Sequence, residues 1–122
     1  MRVLLAVALA VSSSLALGQN WVGLLKGGPA ERFDEEDLRL FRDTARQALS
    51  DGKDNETLSW ENPKTRARGD ITVVRRFEWK SHPCKEIKVH NEAQGRKGDT
   101  DFRLCQVDGK WRLLGSSQGK AK

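Results

Sequence analysis

Two cysteines, Cys84 and Cys105, and the pair Asp108-Gly109 constrain this chain more than any other feature. Asp-Gly between alternating apolar and polar segments signals a two-residue β-hairpin. Facing residues of an antiparallel hairpin have positions of constant sum. If Cys84 faces Cys105, then Ile87 faces Phe102 and Lys85 faces Leu104, across a loop near Gln94-Gly95. A turn at Asp108-Gly109 then sets Leu104 opposite Leu113 and Gln106 opposite Trp111. Pairing Phe77 with Ile87 completes the sheet. Strand side chains alternate between faces. One face therefore collects Ile71, Val73, Phe77, Trp79, Ile87, Val89, Phe102, Leu104, Trp111 and Leu113. The other collects Arg76, Glu78, Cys84, Glu86, Lys88, His90, Arg103, Cys105 and Arg112. This register places the disulfide on the polar face, between neighbouring strands. The strands are expected over 71–80, 84–91, 99–107 and 110–115. Thr57-Leu58-Ser59-Trp60 also alternates and can add a fifth strand at an edge.

An apolar sheet face needs a cover, and the segment 33–50 supplies one. Asp34 can accept a free backbone N–H as N-cap. Glu35, Glu36 and Asp37 then put negative charge in the first turn, which the helix dipole favours. Phe33 and Leu38 have the spacing of a hydrophobic staple. Leu38, Phe41, Ala45, Ala48 and Leu49 recur at helical spacing, and Gly52 is a natural stop. The expected fold is α+β: one N-terminal amphipathic helix packed on a four-stranded antiparallel meander, with one inter-strand disulfide.

The first residues read as a secretory signal peptide. Arg2 precedes the apolar run 3–11, and the small residues Ala16 and Gly18 place cleavage after residue 18. The run is too short to span a bilayer, which takes roughly 20 residues. Residues 19–32 form a Gly-containing arm expected to be flexible, residues 33–115 the domain, and residues 116–122 a loose polar tail. In an exported chain two cysteines suggest a disulfide. Closing a loop of this length is worth roughly 3 kcal/mol in the chain-entropy model. The formal charge of +5, which drops by one unit without Arg2, is spread among interspersed acids and bases. No basic stripe of the kind that binds nucleic acid is visible.

The residues that could carry chemistry are few. His82 and His90 lack sequence-near partners for a triad. Both cysteines are committed to the disulfide, and the chain contains no tyrosine. Asp99 and Asp101 supply too few oxygens for a metal. Arg68-Gly69-Asp70 spells the integrin-binding tripeptide but opens a strand, and Asn55-Glu56-Thr57 matches a glycosylation sequon. No catalytic residue, metal or cofactor is implied. Trp79 and Trp111 fit the sheet's inner face, whereas Trp60 and Trp21 are less accounted for. These two, with Asn62, are the candidate binding residues, able to line a groove for a glycan or peptide.

Several motifs together resemble the bacterial surface-antigen domain of the 17 kDa rickettsial-type antigen and its relatives. They are Leu58-Ser59-Trp60-Glu61-Asn62-Pro63, then Arg68-Gly69-Asp70-Ile71, Cys84-Lys85-Glu86-Ile87, Leu104-Cys105, and Val107-Asp108-Gly109-Lys110-Trp111. The match runs from Thr57 to Leu114, with the helix upstream. The resemblance implies an envelope protein of the periplasm or outer-membrane surface, with no known reaction. Many relatives carry a lipid-attachment cysteine and a long glycine zipper; this sequence shows neither, only a stub around Gly23 and Gly27. The expected function is a non-enzymatic, exported cell-envelope protein with a structural or binding role. Its expected partners are an envelope protein or glycan, with peripheral association to the outer membrane and no transmembrane segment in the mature chain. The alternative is a secreted or periplasmic inhibitor or ligand-binding module of cystatin-like architecture.

Overall fold

In a computed structural model, the protein is described at Leu25 and from residue 28 to residue 118, with the side chains of 117 and 118 left aside. The signal peptide, most of the arm with Trp21, and the last four residues lie outside the described residues. A short 3₁₀ turn, Pro29–Arg32, leads into helix α1, Glu35–Asp51. Five strands follow: β1 (Thr57–Glu61), β2 (Arg68–Trp79), β3 (His82–Ala93), β4 (Arg96–Val107) and β5 (Lys110–Gln118). They form one antiparallel sheet in chain order, so every strand pairs with its sequence neighbour. The β1 strand is the edge that the Trp60 alternation foreshadows.

The helix starts as expected. Asp34 Oδ1 accepts the backbone N–H of Asp37, and Asp37 Oδ2 accepts that of Asp34, a reciprocal capping box. Phe41, Ala45, Ala48 and Leu49 are buried against the sheet, while Leu38 is only half-buried. Opposite them lie Ile71, Val73, Ile87, Val89, Phe102 and Leu104, all within 1% of full burial. The register of β3 with β4, and of β4 with β5 from the turn as far as Leu104, is the one the constant-sum argument yields; a bulge between Arg103 and Leu104 shifts the β4–β5 pairing beyond it, so that Arg103 faces Gly115. Cys84 faces Cys105, Ile87 faces Phe102, Leu104 faces Leu113 and Gln106 faces Trp111. Cys84 and Cys105 are joined in a disulfide on the outer face.

The β2–β3 register departs from expectation. Val73 pairs with Ile87, and Phe77 pairs with Cys84. A β-bulge between Val73 and Arg75 exchanges the faces of everything after it. Phe77 and Trp79 therefore lie on the outer face, and Arg76 and Glu78 on the inner one, the reverse of a regular strand. The cause is the length of the helix. Twelve-residue strands extend about 40 Å, whereas 17 helical residues extend about 25 Å. The helix ends at Asp51 and leaves the far part of the inner face uncovered. The bulge withdraws Phe77 to the disulfide and presents Arg76 to Asp54, with Nε 3.1 Å from the carboxylate.

The arm also differs from expectation in its described part. Leu25 and Pro29 are buried, and the 3₁₀ turn packs on β3 and β4. Gly98 permits this, because a side chain there would strike the Pro29 ring. Strand β5 likewise runs past 115 into the expected tail.

Candidate functional site

The residues proposed for binding belong to the joint between α1 and the sheet. Trp60 is 5% exposed, with Phe33 set edge-on at 5.2 Å between ring centroids. Asn62 is 3% exposed; its Nδ2 donates to Asp37 Oδ1 at 2.8 Å, and its Oδ1 accepts the N–H of Lys64. Thr65 Oγ1 donates to the same Asp37 oxygen at 2.8 Å. Asp37 is buried, which opposes its ionisation. The N–H of Asp34 and the Thr65 and Asn62 side chains outweigh that cost and hold its carboxyl below the ordinary value. The segment Trp60-Glu61-Asn62-Pro63 thus closes a loop onto the helix N-terminus and presents neither Trp60 nor Asn62 to solvent. Trp21 lies outside the described residues.

At the other end of α1 the sheet supplies a cap that the helix lacks. Its last turn has no basic residue and leaves carbonyls unpaired within the helix. Lys85, projecting inward from β3, donates from Nζ to Ala48 O at 3.1 Å and Gly52 O at 2.8 Å. Burial, with Arg76 nearby, moves the Lys85 ammonium below its ordinary value. Lys85 is therefore committed to holding the fold.

The outer face carries the most concentrated polar arrangement. His90, in the middle strand, contacts Asp99 Oδ1 through Nδ1 at 2.6 Å and Glu92 Oε2 through Nε2 at 2.9 Å. Glu92 also accepts from Arg68 Nε at 3.2 Å. Beside them Ser59 donates to Asp70 at 2.7 Å. Ser59, Arg68, Asp70, His90 and Glu92 line an open cleft of about 500 Å³ together with Trp60, Glu61 and Gly69. A neutral imidazole can donate from one nitrogen only. Two flanking carboxylates therefore favour the doubly protonated ring, and the contact with Glu92, then that with Asp99, raises the His90 pKa against the opposing effect of burial. A cationic ring held at both nitrogens is a strut and has no free nitrogen to serve as a base. The sum that aligns the cysteines also aligns His90 with Asp99, so this contact was legible once the register was accepted.

The Arg68-Gly69-Asp70 tripeptide lies inside β2, paired on both sides, with Arg68 on Glu92 and Asp70 on Ser59. Gly69 is needed there for space: a side chain would collide with Trp60 and Asn91. Asn55, of the glycosylation sequon, is exposed in a turn at positive φ. Among the described residues no group of three or more His, Cys, Asp or Glu is placed to hold a metal, and no helix is long and apolar enough to cross a membrane. No family model, curated protein or solved structure matches the chain.

Proposed function

We propose that this is an exported cell-envelope protein, related to the surface-antigen domain, that acts by binding or structural support without catalysing a reaction. The observation that carries the reading is the Cys84–Cys105 bridge. It joins two strands of a small domain, and such bridges persist in oxidising compartments outside the cytosol. The signal-like N-terminus supports the same destination. Three side chains with chemical potential are engaged structurally: His90 at both nitrogens, Lys85 on helix carbonyls and Asp37 on the loop.

Fractionation with thiol labelling tests the reading. The protein should appear in the periplasmic or outer-membrane fraction, shortened by the leader, with no reactive thiol before reduction. Recovery from the cytosol with two free thiols would overturn it. Recovery from the culture supernatant alone would replace it with the secreted-module alternative.

A further inference from the structure

The three β-hairpin turns are not built alike. Gln94-Gly95 and Asp108-Gly109 each hold two residues at positive φ with glycine second, the inexpensive arrangement. The β2–β3 turn holds Lys80 at φ 50° and Ser81 at φ 68°, with neither glycine nor asparagine. Side chains at such angles are strained, and strain of this kind concentrates at sites with another use.

This strained turn adjoins the most exposed of the large hydrophobic side chains on the described surface. Trp79 is 41% exposed, and Lys80 Nζ lies 4.7 Å from its ring centroid. The Asp108-Gly109 turn lies at the same end of the sheet and adds Lys110, while Trp111 beside it packs inward against the core. Behind them, Arg112 stands opposite Cys105, and the Arg103 guanidinium lies across Gly115. Among the described residues no ion pair engages Lys80, Arg103, Lys110 or Arg112. The acids nearby are Glu78, Asp108 and Glu86, and Arg75 already occupies Glu86. This end therefore combines surplus positive charge with an exposed tryptophan beside a closed turn.

We propose that this end of the sheet docks on an anionic lipid surface, with Trp79 entering the interface and Lys80, Lys110 and Arg112 facing lipid phosphates. The proposal rests on the reading that the chain is exported and so meets a membrane face. Indole rings favour the boundary between headgroups and hydrocarbon. Each cation near an anionic leaflet contributes about 1 kcal/mol, a factor of about five in binding. A tryptophan on a projecting turn suits a lipid boundary better than a protein interface, where such anchors sit in packed pockets.

Sedimentation of the full chain with vesicles of phosphatidylcholine, and of phosphatidylcholine with phosphatidylglycerol, tests this. Binding should require the anionic lipid and weaken with salt. Trp79→Ala and Lys110→Glu should each weaken it about fivefold or more. Lys97→Glu, a charge reversal at the opposite end, should leave it unchanged. The apolar N-terminal residues are common to all variants, so the ratio to the parent chain isolates the turns. An unchanged unfolding midpoint shows that each variant is folded, and Arg112→Glu replaces either that is not. Equal binding to neutral vesicles, indifference to these substitutions, or retention on an acidic polypeptide without vesicle binding would overturn the proposal. Fractionation reads export separately. A cytosolic chain that binds vesicles through Trp79 overturns the location and leaves the surface standing.

Discussion

Phe102 and Leu113 both face inward, from adjacent strands, yet Phe102 is fully buried and Leu113 is 38% exposed. The difference is the reach of α1 across the sheet: the helix packs over β1 and β2, and Leu113 sits on the far edge strand, opposite Leu104, which is itself fully buried. Under the helix, the sheet is held by a core of aliphatic and aromatic side chains, with the Asp37 network at one end and Lys85 at the other. Beyond it, the same strands carry Arg76, Glu78, Gln106 and Trp111 on the inner face, and the disulfide with Phe77 on the outer one. A small domain that cannot cover its whole sheet gains from a covalent bridge, here between two buried cysteines of β3 and β4.

The contrast can be broken by mutation. Phe102→Ala should cost about 3–5 kcal/mol, because it empties a fully enclosed site. Leu113→Ala should cost under about 1 kcal/mol, as a half-exposed position does. Urea unfolding of both variants measures the gap, and equal losses would mean that the far part of the sheet has a cover of its own. Asp37→Ala should cost about 2–3 kcal/mol, since it leaves the Asn62 amide and Thr65 hydroxyl without their acceptor and removes half the capping box. Amide exchange should then accelerate first around β1 and the start of α1, leaving the disulfide end protected.

The smallest effect belongs to His90. Its folded-state pKa is raised, so its stabilising contribution is complete below the ordinary value of about 6.5 and is lost as pH climbs through the raised one. The wild-type chain should lose stability over that interval, and His90→Gln should flatten the curve there. A wild-type profile identical to that of the variant would show that the ring does not bridge its two carboxylates as a cation.

Much of the architecture was legible because two markers, the cysteine pair and Asp108-Gly109, set three strands by arithmetic. The helix was legible because its cap, acidic first turn and apolar spacing agree. The β2 strand was not, because Ile71, Val73, Phe77 and Trp79 keep a period of two straight through the bulge. Only the point at which the helix ends explains the exchange, and that is a three-dimensional fact. Trp60, with Asn62 beside it, suggested either a binding groove or a cover for the core, because the expected sheet register left that tryptophan unaccounted for. Their burial depends on Phe33 and Asp37, some 25 residues or more earlier in the chain.

Cys84 and Lys85 are consecutive, and they point to opposite sides of β3: one outward to Cys105, the other inward to the carbonyls of Ala48 and Gly52. Together they act as a keyed joint. A slip of β3 by a single residue would turn the thiol toward the helix and the ammonium toward solvent, undoing both attachments at once. Hydrophobic matching alone could tolerate a shift by two, because the apolar face repeats at that interval. The disulfide and the carbonyl cap do not repeat. The correctly aligned sheet is thus the alignment that can be both oxidised and capped, and closing the bridge seals that choice.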